Sequence, residues 1–367
     1  RAPGVLHIVG IGPGDAPSRT SSAVRALDDS TDWVGYGLYL DLISDLKLRQ
    51  EEHRFHLGDE EARVRHALEL AGTGKVVSLV CSGDGQIYAM AALVYELLDA
   101  KGERGVSDAA RRVMIESHPG ISAFQAASAA AGALVGHDFC CISLSDLLTP
   151  REDILRRLDA AAAGDFVTAL YNPRSQRRND LIVEAKARLI FHRRPDTPVI
   201  VASSLGRPEE QVKVVGLADF DPEDADMLTI VLVGASSSRA FKRGDGEVVA
   251  FTPRGYGNRS PAKEQPAPQP VAAAPLPPAA APAVAAAPAA VAPGPAAPAL
   301  SPAAPAMPTE ASADAIPAPE PPKPIPPAGP GKSAIRAGLA FLRERARATQ
   351  APTAEPPPAD KEKTPQQ

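Results

Sequence analysis

Short apolar runs alternate with amphipathic stretches along the first part of the chain. The runs VLHIVG, DWVGYG and KVVSLVC are followed by segments in which apolar residues recur at helical spacing, such as ARVRHALELAG. Strands that are apolar on both faces are typical of a parallel sheet covered by helices on both sides. The pattern therefore predicts an α/β fold.

The same alternation starts again near residue 135. A helix in REDILRRLDAAAAG precedes the strand DFVTALYN, and further apolar runs follow in TPVIVASS, QVKVVGL and MLTIVLVGA. We therefore predict two α/β domains, over residues 1–134 and 135–250, with a cleft between them. Clefts of this kind are common places for small-molecule sites.

The composition changes in the last third of the chain. Ala and Pro dominate within residues 251–332, offer little bulky apolar surface and oppose helix formation. We predict a disordered linker there, a short amphipathic helix at 333–348 and a disordered tail at 349–367. The helix is interpreted either as an isolated helix in a disordered tail or as a docking element for a partner protein.

Charge and cysteine content narrow the function classes. A formal net charge of −5 argues against a nucleic-acid binder, which needs a basic face. The 3 cysteines are too few for a disulfide framework or a four-thiolate cluster, so we predict reduced thiols and no metal site. Because no apolar run reaches the roughly 18 residues of a membrane span, we predict a cytoplasmic protein without membrane contact.

The first candidate site is the loop GIGPGD, at residues 10–15. A dinucleotide fingerprint needs its third glycine one position later, and a P-loop needs Gly-Lys-Ser/Thr. Phosphate binding is thus disfavoured against a structural turn or a loop for another ligand. Glycines in such a loop permit a sharp turn and close approach of a ligand.

Two further loops follow predicted strands. Residues 82–85 read SGDG, where Asp84 either accepts hydrogen bonds from a ligand or caps the next helix. Residues 119–123 read PGISA before a helix of small residues, which permits close contact with a ligand or with a neighbouring helix. Each loop by itself leaves both interpretations open.

Together and in this order, the three loops resemble those of the tetrapyrrole methyltransferase family, over about residues 4–235. The resemblance implies two α/β domains of the tetrapyrrole methylase type, S-adenosylmethionine in the cleft between them, and a homodimer. Within the family, HDFCCISLSDLLTP, DFVTALYNPRSQRR and SGDGQIYAMA are similar to the branch that methylates precorrin-3B at C17 and contracts its ring in cobalamin synthesis. The rival interpretations are methylation at another ring position and, from a different class, a nicotinamide-dependent oxidoreductase.

The resemblance also implies which residues bind the cofactor. They come from loops of both predicted domains: Pro13, Gly83, Asp84, Ile87, Ser122, Ala123, Asn172 and Leu205. The chain departs from the family pattern at Gly85, where a proline is usual, and at SSLGR, where a turn like RNAGR is usual. The first departure is expected to loosen the loop and change the affinity for the cofactor. The second affects which residue of the turn is matched to the cofactor contact assigned to Leu205.

The implied substrate is a precorrin, a polycarboxylate tetrapyrrole that needs local donors on an acidic protein. The expected substrate contacts are Gly12, Gly14, Arg174, Arg177 and Arg178, with Arg151 as a weaker candidate. The alternative for the arginines is a solvated turn paired with Asp180 or Glu184.

Ring contraction also requires proton transfer at a hydroxyl and a lactone. Asp15, His137 and Asp146 are the ionisable residues beside the recognised stretches. We rank Asp15 first as the catalytic acid or base, because a histidine before a strand is more often structural and Asp146 suits a turn.

Overall fold

The computed structural model describes residues 3–175 and 179–256, which form part of one compact unit. The α-helices of this part are α1 (Ser21–Asp29), α2 (Gly37–Asp41), α3 (Glu60–Gly72), α4 (Ala91–Asp99), α5 (Ala123–Ala130), α6 (Arg151–Ala163) and α7 (Leu181–Phe191). The strands are β1 (Val5–Gly10), β2 (Asp32–Tyr36), β3 (Glu51–Phe55), β4 (Val76–Cys81), β5 (Met114–His118), β6 (Gly132–Ala133), β7 (Phe139–Ser143), β8 (Val167–Tyr171), β9 (Pro198–Ser203), β10 (Gln211–Gly216), β11 (Thr229–Val233), β12 (Arg239–Lys242) and β13 (Val248–Phe251). The predicted helix and tail at 333–367, and most of the predicted linker, lie outside the described residues.

The first sheet is entirely parallel and has the strand order β3-β2-β4-β1-β5. Successive residues of β1 point to opposite faces, because side chains alternate along a strand. Leu6 and Ile8 pack with α3 and α4, whereas Val9 packs with α1 and Trp33. Burial on both faces explains the continuous apolar runs and confirms the predicted parallel α/β sheet.

The second sheet, with the order β10-β9-β11-β8-β7, is mixed. Only β7 and β8 pair in parallel, whereas β8, β11, β9 and β10 pair antiparallel. The sequence predicted a repeat of the first pattern, and the alternation of strands and helices does recur, but the strand directions differ. For β9 and β10 the reason is that residues 204–210 join them without a helix, and parallel neighbours need a crossover of about a dozen residues or more.

Helix α5 connects the two halves of the described chain. The predicted boundary at residue 134 assigns it to the first domain, yet Phe124 and Ala127 of α5 pack against Ile200 and Leu232 of the second sheet. A third sheet, of order β12-β13-β6, then pairs β13 in parallel with the two-residue strand that follows α5. The last two described strands, β12 and β13, therefore form a small sheet with the strand that directly follows α5.

The surroundings of His7, in the middle of β1, indicate how the free energy of unfolding changes with pH. Its Nδ1 lies 3.0 Å from Nε2 of His118, and burial followed by the His118 charge lowers the pKa of His7 below 6.5, against opposing effects of Glu116 and Asp29. The unfolded chain then takes up a proton near pH 6.5 that the native chain does not, so stability falls as the pH drops from 6.5 toward the native pKa. One proton contributes at most about 1.4 kcal/mol per pH unit.

We therefore expect the free energy of unfolding to fall less between pH 7.5 and 5.5 in the His7→Asn variant than in the unmodified chain. Chemical denaturation at each pH measures it. The exposed His56 provides the control, because His56→Asn should keep the original pH dependence. Equal pH slopes in His7→Asn and the unmodified chain would contradict the assignment.

Candidate active site

A cavity of about 360 Å³ lies where strand ends of the two larger sheets meet. Its wall is formed by residues at the carboxyl ends of β2, β4, β8 and β9 and at the start of β11. Ligands of open α/β sheets bind outside the carboxyl ends of the strands. The position of the cavity is therefore that of a ligand site.

The residues predicted to bind the cofactor are far apart in the sequence but meet in this cavity. Its lining includes Pro13, Gly83, Asp84, Ile87, Ser122, Ala123, Asn172 and Leu205. They are therefore placed to contact one ligand together. That the ligand is the cofactor stays a prediction.

The three glycine loops cross with their backbones in contact. The N–H of Gly12 donates to the carbonyl of Gly83 at 3.1 Å, and the N–H of Gly83 donates to the carbonyl of Gly12 at 2.8 Å. A Cβ at Gly120 would lie 2.1 Å from the oxygen of Gly83 and 2.6 Å from that of Gly10. Glycine is therefore required at residue 120 by close backbone packing, which is the structural interpretation of the third loop.

Asp84 joins two of these loops. Its Oδ1 accepts from the N–H of Gln86 at 2.8 Å and its Oδ2 accepts from the N–H of Gly120 at 3.0 Å, with the side chain buried. The alternative that Asp84 caps the next helix is wrong, because α4 starts later and is preceded by Met90 at its N-cap. A carboxylate accepts about four hydrogen bonds, so Asp84 retains capacity for a ligand donor.

Left-handed backbone is concentrated at the cavity. Tyr88, Asn172 and Ser204 have φ values of 51°, 50° and 52°, and all three line it. Such a conformation costs about 1–3 kcal/mol for a residue with a side chain and is common at ligand sites. Helix α4 starts only at Ala91, because the backbone of Tyr88 is not in the helical conformation.

Burial keeps the thiol of Cys81 and the phenols of Tyr88 and Tyr171 protonated. It raises the pKa of Cys81, at the end of β4, to about 11 and also raises those of Tyr88 and Tyr171. The phenol of Tyr88 donates to the carbonyl of Cys141 at 2.8 Å, and that of Tyr171 accepts from the N–H of Phe124 at 3.3 Å. These groups therefore position the wall of the cavity and do not supply a thiolate or phenolate at neutral pH.

The predicted substrate residues lie elsewhere, as far as the structure describes them. Gly12 and Gly14 are buried but do not line the cavity, and Arg174 pairs with Glu223, with 2.5 Å between Nη2 and Oε2. The suggested pairing with Asp180 or Glu184 is wrong for Arg174, because Asp180 lies 2.7 Å from Arg151 and Glu184 lies 3.6 Å from Arg188. The remaining two predicted arginines, Arg177 and Arg178, fall outside the described residues.

The predicted proton-transfer residues are also absent from the cavity lining. Oδ2 of Asp15 accepts from Oγ of Ser18 at 2.9 Å, and the Asp15 side chain faces the turn at Gly206. His137 is half-exposed beside Asp138. The choice of Asp15 as the acid or base thus stays a prediction. The contact that the structure shows for this carboxylate is the hydrogen bond from Ser18.

Sequence reasoning missed several residues of the cavity wall. Among them are Tyr39 of α2, Arg63 of α3 and Arg207, which follows the turn after β9. A signal for Arg63 is present in the sequence, because it precedes the apolar Ala67 and Ala71 at successive intervals of four residues. A cation on the apolar face of an amphipathic helix indicates a specific partner rather than solvent.

Metal-ligand side chains also come together in two groups within the described part of the chain. His7, Glu116 and His118 form one group, and Asp32, Glu51 and His53 form the other. A cation already contacts the second group, because Nζ of Lys75 lies 2.8 Å from Oδ1 of Asp32. Since neither group lines the cavity, neither bears on its chemistry.

No helix among residues 3–175 and 179–256 combines the length and the apolar character that a membrane crossing requires.

Comparisons with known proteins show which family the chain belongs to. A family model described as Tetrapyrrole (Corrin/Porphyrin) Methylases matches residues 5–221. A methyltransferase structure described as CobJ has 39% sequence identity and a TM-score of 0.62, and the match covers 68% of this chain and 100% of that one.

Curated relatives show similar identity. A cobalt-factor III methyltransferase of Priestia megaterium is 41% identical over 256 residues, which are 69% of this chain and 45% of the relative. A precorrin-3B C(17)-methyltransferase of Sinorhizobium sp is 38% identical over 259 residues, which are 70% of this chain and 99% of the relative. The matched part spans about half the length of the first of these relatives and nearly all of the second.

Proposed function

This chain belongs to the tetrapyrrole methylase family, and from that premise we propose that it transfers a methyl group from S-adenosylmethionine to C17 of precorrin-3B and contracts the ring to give precorrin-4. The observation that carries the proposal is that one cavity is lined by all eight residues expected to bind the cofactor. The relatives named for precorrin-3B and for cobalt-factor III support C17 as the position.

The residues of the cavity fit S-adenosylmethionine, which supplies a methyl group on a sulfonium. Asp84 is a buried carboxylate with remaining acceptor capacity, suited to hydroxyl or ammonium donors. The left-handed backbone of Gly83 opens the loop for close approach, while Ala123 and Leu205 offer apolar surface. Recognition by backbone, one carboxylate and small apolar side chains suits a cofactor that carries its own leaving group.

The chain's contribution to the reaction is then alignment and exclusion of water. Cys81, Tyr88 and Tyr171 remain protonated, so they do not compete as nucleophiles for the methyl group. Holding donor and acceptor in a near-attack arrangement alone lowers a barrier by up to about 7–11 kcal/mol. The electron-rich carbon of a reduced tetrapyrrole needs little further activation.

The rival interpretation as a nicotinamide-dependent oxidoreductase has less support. A dinucleotide loop holds its pyrophosphate with free backbone N–H groups. In this chain the N–H of Gly12 donates to Gly83 instead. Methylation at another ring position is the closer alternative, because the same cavity would serve it.

The proposal also includes a cytoplasmic homodimer, which family resemblance supports. Sedimentation velocity of the full chain tests the dimer, with a monomer at micromolar concentration as the contrary result.

The decisive experiment is product analysis. The full chain is incubated with methyl-labelled S-adenosylmethionine and either precorrin-3B or cobalt-factor III, and the product is examined by mass spectrometry and NMR. We expect a single labelled methyl at C17 of a contracted ring, and the preferred substrate shows whether cobalt is present at this step. A methyl at another carbon would favour the alternative within the family. Absence of methyl transfer to both substrates, together with NAD binding, would favour the oxidoreductase.

A further inference from the structure

Arg63 is a buried cation that forms no ion pair within residues 3–175 and 179–256. Its side chain is on α3, the residue is 3% exposed, and it lines the cavity. Nη2 donates to the carbonyl of His56 at 2.9 Å, but Nε is buried and has no hydrogen-bond partner among the described residues. A buried guanidinium without an ionic partner is strongly destabilising, so its presence indicates a partner that binds from the cavity.

Arg207 reaches the same cavity from the other half of the chain. Its backbone N–H closes the turn after β9 by donating to Ser204 at 3.1 Å, while Nε of its side chain is buried without a partner in the described part of the chain. Gly14 makes room for this side chain, because a Cβ there would lie 3.1 Å from Cγ of Arg207. The second glycine predicted to contact substrate thus shapes the position of an arginine.

Tyr39 adds a neutral donor beside the two cations. Burial raises the pKa of its phenol, while the charges of Arg207 and Arg63 act on it in the opposite direction. The ring is fixed edge-on against Tyr36, with 5.2 Å between the ring centroids. A protonated phenol near two guanidinium groups is a third hydrogen-bond donor for the same anion.

The two acidic residues of the cavity already have other hydrogen bonds. An oxygen of Glu60 accepts from the N–H of Gly58 at 3.1 Å, and Asp84 accepts from two backbone N–H groups. Neither forms an ion pair with Arg63 or Arg207 within the described residues. The two arginines therefore keep their capacity for an external anion.

We propose that Arg63 and Arg207, assisted by Tyr39, form a carboxylate-binding site inside the cavity. Guanidinium groups recognise carboxylates through paired, charge-assisted hydrogen bonds. The inference rests on the proposed function, which supplies two carboxylates: a side-chain carboxylate of the tetrapyrrole, or that of the amino-acid part of S-adenosylmethionine. It assigns carboxylate recognition to these two residues instead of to Arg174, which Glu223 already neutralises.

The test uses binding, which does not depend on methyl transfer. Arg207→Gln, Arg207→Lys and Arg63→Gln are compared with the unmodified chain, and Arg25→Gln on the exposed face of α1 is the control. The probes are S-adenosylhomocysteine, methylthioadenosine, which lacks the amino-acid part, and uroporphyrin, a polycarboxylate tetrapyrrole. Calorimetry measures the first two and fluorescence quenching the third, after circular dichroism has confirmed folding.

Loss of a charge-assisted hydrogen bond predicts about 10- to 100-fold weaker binding. If the carboxylate is that of the cofactor, the glutamine variants lose affinity for S-adenosylhomocysteine and keep it for methylthioadenosine and uroporphyrin. If the carboxylate is that of the tetrapyrrole, they lose affinity for uroporphyrin alone. In both cases Arg207→Lys loses less affinity than Arg207→Gln, because lysine keeps the positive charge. The control Arg25→Gln binds with the affinity of the unmodified chain.

Unchanged binding of every probe by folded Arg207→Gln would overturn the inference. Arg207 is only partly buried, so we expect Arg207→Gln to fold. This variant therefore tests the inference even if Arg63→Gln fails to fold. If the unmodified chain bound none of the probes, the proposed function would fail together with the inference. If it bound them and transferred methyl while the variants bound equally well, the inference alone would fail.

Discussion

Replacing Gly120 by alanine should remove measurable binding of S-adenosylhomocysteine and destabilise the chain by about 3 kcal/mol or more, at the upper end of overpacking effects. The added methyl would lie 2.1 Å from the carbonyl oxygen of Gly83, which is a backbone atom and cannot rotate away. Relief requires the loop that carries Asp84 to move outward. The same movement would stretch the hydrogen bond from the Gly120 N–H to Asp84.

Chemical denaturation and calorimetry measure the two effects of this substitution. Gly244→Ala is the matched control, because a methyl there would meet nothing within 4 Å. Unaltered affinity and stability in Gly120→Ala would show that the three-loop crossing tolerates a side chain, and the close packing described for it would then be incorrect.

Replacing Asp84 by asparagine should weaken binding of S-adenosylhomocysteine by about 10- to 100-fold, since a hydrogen bond to a charged group contributes about 1.5–3 kcal/mol. Both carboxylate oxygens of Asp84 accept backbone N–H groups, from Gln86 and Gly120. An asparagine has one oxygen only, and its amide N–H₂ would face one of those donors. The variant therefore loses one loop contact and the charge available to a ligand donor.

Asp28→Asn on the exposed side of α1 is the matched control, because it removes the same charge outside the cavity. Calorimetry with S-adenosylhomocysteine measures the affinity, and thermal unfolding measures how much of the loss comes from the loop itself. Affinity within twofold of the unmodified chain would contradict a role of Asp84 in ligand binding.

The first sheet was predictable because each of its inner strands is buried on both faces. VLHIVG and VVSLVC are apolar at successive positions, which is what a central parallel strand requires. The edge strand β3 was missed, since EEHRF is mostly polar and carries no such signal. The antiparallel pairing of the second sheet was missed as well, because apolar runs report burial and not strand direction.

The meeting of the three loops in one cavity was predictable because each loop has its recognisable residues next to one another in the sequence. Arg63 and Arg207 were not, since they are far apart in the chain and neither forms an ion pair within the described residues that could indicate its role. Arg174 shows the converse: its position in a basic turn suggested substrate binding, whereas a distant residue, Glu223, neutralises it. Ionic pairing depends on tertiary contacts that a local pattern does not contain.

The position of β11 determines how short a functional fragment of this chain can be. The family match ends at residue 221, before this strand, yet β11 lies between β9 and β8 and pairs with both. A fragment cut there would expose two unpaired strand edges, which promote aggregation. The strand β13, which ends at Phe251, also pairs with β6. A fragment expressed without the rest of the chain should therefore continue past Phe251.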